Sequence, residues 1–103
     1  MWAQLITLTV KPESEGQIAK VVDLLAASEQ PGSGLVRELF MQDQSDPTRI
    51  FALSVFENEE LARKREADPR RQEVTSQIQK LLSEVAAGPP EFADLAVIGE
   101  LTP

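Results

Sequence analysis

Three polar residues stand where an apolar strand, or its end, could present them to a ligand. They are Arg37 within Leu35–Gln42, Ser54 within Arg49–Phe56, and Asn58 just past Phe56. A guanidinium on the helix-side face of a sheet could hold a carboxylate or an enolate bidentately. A hydroxyl could donate to a ligand, and an amide could donate or accept. Each also has a structural duty open to it: an ion pair for Arg37 or for its neighbour Glu38, tolerated small size for Ser54, and helix capping for Asn58. Phe40, Phe51, Phe56 and Phe92 could line an aromatic substrate pocket or could simply be core. Arg63, Lys64, Arg65, Arg70 and Arg71 form a basic cluster. It could steer an acidic substrate, or it could be a solvated helix face with partners at i, i+4. The catalytic set is unknown from this pattern, with Arg37, Ser54 and Asn58 as candidates and the four phenylalanines as substrate-binding candidates.

The chain has no Cys, His or Tyr. No disulfide can form, and the usual zinc, copper and haem ligands are missing, leaving carboxylates for a hard ion such as magnesium. A Ser-His or Cys-His nucleophile pair cannot be built. Proton transfer must use Asp, Glu, Lys, water or the substrate, and no metal site is expected. The net charge of −7, from 17 acids against 10 bases, argues against nucleic acid and against an anionic membrane surface as partners. The N-terminus, MWAQLITLTVKPESE, lacks a basic region ahead of an apolar stretch. No run approaches the ~20 apolar residues that span a bilayer. A cytoplasmic location is the expectation.

The elements that would position these residues follow from periodicity. Trp2–Val10 reads as a strand with Trp2, Ile6, Leu8 and Val10 on one face. Ser14–Gln17 has the capping-box form, and Ile18, Val21, Val22 and Leu25 make a helical stripe to about Ser28. Gln30–Gly34 is a breaker loop. Leu35–Gln42 is a second strand, with Leu35, Arg37, Leu39 and Met41 on one side and Val36, Glu38 and Phe40 on the other. Asp43–Thr48 is turn chemistry. Arg49–Phe56 is a third strand, apolar on both faces. Asn58 caps a short helix in which Leu61 is the only large apolar residue. Asp68-Pro69 restarts the pattern, and Val74, Ile78, Leu81, Leu82 and Val85 form its stripe. Gly88-Pro89-Pro90 ends it, and Phe92–Leu101 reads as the last strand.

That order, strand-helix-strand-strand-broken helix-strand, predicts an α+β fold. It is the ferredoxin-like βαββαβ arrangement over residues 1–103 as one domain, a four-stranded antiparallel sheet with both helices on one face. A third strand apolar on both sides must be covered on both sides. The cover available is a second copy, so a homodimer with sheets face to face is expected, with Trp2 at its seam.

Three segments carry a family likeness: Phe56-Glu57-Asn58-Glu59-Glu60-Leu61, Ala67-Asp68-Pro69-Arg70, and Gly88-Pro89-Pro90. Gln30-Pro31-Gly32 followed by Gly34-Leu35 adds to it. In this order the chain resembles the antibiotic biosynthesis monooxygenase family, small ferredoxin-like domains that pair into dimeric α+β barrels. The resemblance implies oxygenation of electron-rich phenolic or quinol-type substrates, in some members without metal or flavin, so no cofactor is expected. The protein would supply a dry pocket, a hydrogen bond to the enolate, and orientation. The haem-degrading relatives use an axial His that this chain lacks. In the family's aromatic oxygenases the strand-end aromatic is Trp, where this chain has Phe56. An Asn is expected at Ala52, a Tyr near Ala62, an Arg near Thr75, and a His at Arg70. Two functions follow as expectations. One is a cofactor-independent monooxygenase, an oxidoreductase acting on a small aromatic or quinol-type substrate. The other is a non-catalytic dimeric domain that binds a small apolar or aromatic molecule after losing the family's polar residues.

Overall fold

The computed structural model describes residues 1–103. Four antiparallel strands form one sheet: β1 (Trp2–Thr9), β2 (Leu35–Gln42), β3 (Arg49–Phe56) and β4 (Glu91–Ala96), in the order β2-β3-β1-β4. Between them run α1 (Ile18–Ser28), α2 (Glu59–Glu66) and α3 (Gln72–Val85). This is the split βαβ topology that the element order predicts, with the two hydrophobic central strands, β3 and β1, flanked by β2 and β4.

The helical stripes meet one face of the sheet. Leu8, Val10, Ile50 and Val85 form the buried cluster, and Ile18, Leu82 and Ala86 pack against it. Burying each such aliphatic side chain contributes roughly 1.5–3 kcal/mol. The opposite face is bare: Val36, Leu39, Met41 and Leu95 are exposed large hydrophobics. Only 11 of 103 residues are buried, which is what a sheet covered on one side produces.

The starts and stops of the elements differ from the sequence reading in four places. Ser14 makes no side-chain cap, because its φ of −100° and ψ of −2° are helical rather than extended. Glu15–Gln17 form a single 3-10 turn, and α1 begins after it. Asp68 and Pro69 likewise start a 3-10 turn, Pro69–Arg71, with the Asp68 side chain accepting from the Arg70 amide before α3 opens. Helix α3 ends at Val85, ahead of Gly88-Pro89-Pro90. Ala86 there turns extended and bridges to Val10, while the Ala87 amide donates to the Thr9 carbonyl at 2.8 Å, so the end of β1 takes over the backbone pairing. Strand β4 stops at Ala96 rather than Leu101 because Ala96 already pairs with Trp2, the first residue of β1. Beyond it one backbone bond remains, from the Val97 amide to the Met1 carbonyl at 3.3 Å.

Two local features fix the site. A bulge between Leu35 and Arg37 pairs Leu35 with Phe56 and Arg37 with Val55. Leu35 therefore joins the helix-side face, and strict alternation fails at the start of β2. Gly34, at φ +85°, precedes it. A Cβ there would lie 2.6 Å from the Leu61 Cβ, so only glycine lets α2 come this close. No helix is long and apolar enough to cross a membrane.

Candidate functional site

Between the helices and the covered face of the sheet lies a cavity of about 230 Å³. Of its 16 lining residues 11 are hydrophobic, so a ligand inside would shed most of its water. Ile6, Leu8, Ile50, Ala52 and Phe56 form the floor, and Ile18, Val21, Leu25, Ile78 and Leu82 form the helical wall. Phe40 lies at the β2 side. The polar lining comes from Gln4, Glu38, Ser54, Arg65 and Glu66.

These polar groups are held by a network at one end. Arg65 projects from α2, and its guanidinium lies 5.5 Å over the Phe56 ring. Its Nε and Nη2 donate to Glu29 Oε2 at 3.1 and 2.7 Å, and Nη2 reaches Glu38 Oε2 at 3.5 Å. Ser33 Oγ donates to the other oxygen of Glu29 at 2.6 Å. The Arg65 side chain is only 9% exposed and that of Glu38 16%. Arg71, buried, donates from Nη1 to the Arg65 carbonyl at 3.5 Å, and its Nε has no partner.

The two carboxylates respond oppositely. Burial pushes the Glu38 carboxyl above the usual range, and the Arg65 charge and the Ser54 hydroxyl only partly offset it. Burial also works to raise Glu29, but hydrogen bonds from Arg65 and Ser33 and the charges of Arg65 and Arg71 bring it below the usual range. Burial, with the nearby Arg65 charge, lowers Arg71. Glu29 is thus the anchored anion and Glu38 the one prepared to take a proton. No three acidic side chains gather to hold a metal ion.

Of the candidates read from sequence, Phe40, Phe56 and Ser54 line the cavity. Ser54 is 7% exposed and stands directly across the ladder from Glu38. Arg37 does not: past the bulge it pairs with Val55 and faces away from the helices, exposed. Phe51 pairs with Met41 on that same outer face, with the Arg49 guanidinium 5.2 Å over its ring. Phe92 is in register with Ile6, but on the edge strand it is 61% exposed and lies outside the cavity lining. Asn58 is spent on the cap, its Oδ1 accepting from the Leu61 amide at 2.8 Å. Trp2, expected at an outer seam, turns to the helix side. Its ring lies 6.1 Å from Phe56 and under the Arg63 guanidinium at 5.1 Å.

The basic cluster divides in two. Arg63 is a surface residue paired with Glu59, Glu66 and Asp94, and Arg70 pairs with Asp68, whose carboxyl is held down to about 2 by the Arg70 side chain. Arg65 and Arg71 go inside. The sequence reading passed over Glu38 and Arg65 as site residues, although a signal existed for each. Glu38 shares its strand face with Phe40. Arg65 is i+4 from Leu61, the residue that fixes the inward side of α2.

Fold and cavity together define a class: a ferredoxin-like α+β domain with the fold of antibiotic biosynthesis monooxygenases. Several solved structures that match it carry that description. One, provisionally assigned as an antibiotic biosynthesis monooxygenase from Caulobacter crescentus, superposes with a TM-score of 0.78 at 15% identity over 95% of this chain and 90% of that one. One from Nitrosomonas europaea, with the same provisional assignment, gives 0.77 at 14% identity over 96% of this chain and 100% of the other. A third, from Deinococcus radiodurans and assigned in the same way, gives 0.75 at 15% over 99% and 97%. Identities this low establish a shared fold. No protein-family model and no curated protein matches the chain.

Proposed function

We propose that the chain is a cytoplasmic, single-domain, homodimeric monooxygenase that oxidises a small aromatic or quinol-type substrate without a cofactor. The observation that carries this reading is a mostly buried carboxylate, Glu38, lining a mostly apolar cavity beside Arg65, its proton affinity raised by burial. In this reading Glu38 takes the proton whose loss makes the substrate an electron-rich anion, and that anion reduces oxygen. For a ring methylene flanked by aryl groups the balance is R₂CH₂ + O₂ → R₂C=O + H₂O. One oxygen atom enters the substrate, and the other leaves as water with both hydrogens. The dry walls orient the substrate and protect the anion from reprotonation by solvent. The fold's solved relatives named as monooxygenases support the class of chemistry.

Oxygen uptake with a panel of anthrones and hydroquinones tests it. One O₂ consumed per ketone formed is the expected result; uptake no faster than in protein-free buffer across the panel rejects it. A second reading, ligand binding without turnover, draws on Ala52 and Ala62 standing apolar where polar chemistry would serve. Saturable binding with no oxygen consumed selects it.

The homodimer is proposed from the bare face, where Leu39, Met41, Val36 and Leu95 are exposed together. Sedimentation at micromolar concentration should give twice 11.3 kDa, and Leu39→Arg should return the single-chain mass.

A further inference from the structure

We propose that Arg65 exchanges anions when a ligand binds. Anchored on one side by Glu29, the guanidinium gives up Glu38 and takes the ionised hydroxyl oxygen of an acidic phenol or enol, whose proton passes to Glu38. The ligand's O–H bond breaks, an O–H bond forms on the Glu38 carboxyl, and no electron moves.

The geometry separates a fixed side from a loose one. Nε and Nη2 are both engaged by Glu29 at 3.1 and 2.7 Å, and Ser33 locks the far oxygen of Glu29. Stacking on Phe56 sets the guanidinium plane. The contact to Glu38, at 3.5 Å, is at the outer limit of a hydrogen bond and is the one that can be surrendered at little cost. Both Arg65 and Glu38 line the cavity, so a ligand oxygen entering it meets the two together.

Charge balance then selects the ligand. Glu29 and Glu38 offset Arg65 and Arg71 in a poorly hydrated place. A carboxylate ligand, already ionised at neutral pH, would bring an extra negative charge that nothing there neutralises, at high cost in a low dielectric. A hydroxyl enters neutral. If it ionises by handing its proton to Glu38, the cluster keeps its net charge and Arg65 keeps two anions. Burial has already raised the proton affinity of Glu38, against the pull of Arg65 and Ser54 and with that of Glu29. The groups around it are Glu29 beyond α1, Arg65 and Glu66 on α2, Arg71 on the turn before α3, and Gln4 and Ser54 on the sheet. The site therefore discriminates by acidity: it accepts groups that are neutral in water and ionise inside.

This inference deepens the oxygenase reading and rests on it for the fate of the bound anion, but its binding step is testable without turnover. The probe is 4-nitrophenol, yellow only as the phenolate, with 4-nitrobenzoate as the permanently ionised control. At a pH where the free probe is mostly colourless, binding to the wild-type chain should turn it yellow. Its apparent pKa should fall by about one unit or more, equivalent to about tenfold more phenolate at a given pH. In the wild type 4-nitrobenzoate should bind at least about tenfold more weakly than 4-nitrophenol. Glu38→Gln removes the competing anion beside Arg65, so it should bind 4-nitrobenzoate about tenfold or more tighter than the wild type does, and the phenolate proton, with no carboxylate to take it, should appear in the buffer. Arg65→Lys should reduce the shift while the chain stays folded. A probe that binds colourless, equal wild-type affinity for the benzoate, benzoate binding unimproved by Glu38→Gln, or no binding overturns the proposal. A colour change without oxygen uptake on any quinol leaves the exchange standing and removes only the oxygenase reading. Uptake without a colour change does the reverse.

Discussion

Arg65 and Glu29 are 36 positions apart in the chain and meet with Nη2 2.7 Å from Oε2. The pair pins α2 to the segment between α1 and β2, and through it holds the charged end of the cavity. The first prediction follows from it. Arg65→Met leaves Glu29 and Glu38 facing each other with only the Arg71 charge nearby. Removing one partner of a buried pair costs about 3–5 kcal/mol, and the partial wetting of Glu29 puts this case near the low end. Urea denaturation should show the loss. A midpoint within error of wild type would mean that solvent already screens the pair.

Glu38 predicts a stability that falls as pH rises. Its folded pKa is raised, so the native state holds its proton after the unfolded chain has released it. Its contribution is fully present below the unfolded value of about 4.5 and is lost as pH climbs through the folded one. In Glu38→Gln the chain should lose that downward slope just above pH 4.5. Denaturation midpoints measured from pH 4 to pH 7 check this, and parallel wild-type and variant profiles would contradict it.

Gly34 predicts a steric penalty rather than a chemical one. Gly34→Ala puts a Cβ 2.6 Å from the Leu61 Cβ at a φ of +85°. The strained backbone alone costs about 1 kcal/mol, and the clash adds to it. Leu61→Ala keeps the Cβ but removes Cδ1 and Cγ, which would lie 2.7 and 3.1 Å from the new Cβ, so combined with Gly34→Ala it should recover part of the loss, and thermal melting of the double variant should show less than the sum of the two single effects. Strict additivity would refute the contact.

Asn58 separates capping from catalysis. Asn58→Ala removes the acceptor for the Leu61 amide and should cost about 1 kcal/mol of stability. Its exposed side chain lies outside the cavity lining, so ligand affinity and any oxygen uptake per folded molecule should be unchanged. A loss of uptake exceeding the loss of folded protein would return Asn58 to the site.

The order of elements was legible because it depends on local period. Alternation marks Arg49–Phe56, the i, i+4 stripe marks Val74–Val85, and Asn58 caps α2 as its type requires. The bare second face was legible too, since Leu53 and Val55 on one side of β3 and Ile50, Ala52 and Phe56 on the other need two covers. Register was where the reading failed. One bulge before Arg37 turned Leu35 inward, while Arg37 and Phe51 kept the alternation read for them with Leu39, Met41, Leu53 and Val55. They were candidates for the wrong cavity because alternation does not say which face the helices cover. A bulge depends on how two strands meet and leaves no period in either.

The charged end of the cavity belongs entirely to tertiary structure. In the sequence Arg65 is one of five basic residues in a solvated-looking stretch, and Glu29 is a loop acid. What makes them a site is the approach of α2 over Gly34, which drives Arg65 inward, shields it from water and leaves it Glu29 and Glu38 as partners. Residue types and spacing settled which elements form. Only the packed chain decided which charges lose their water, because desolvation depends on every neighbour at once.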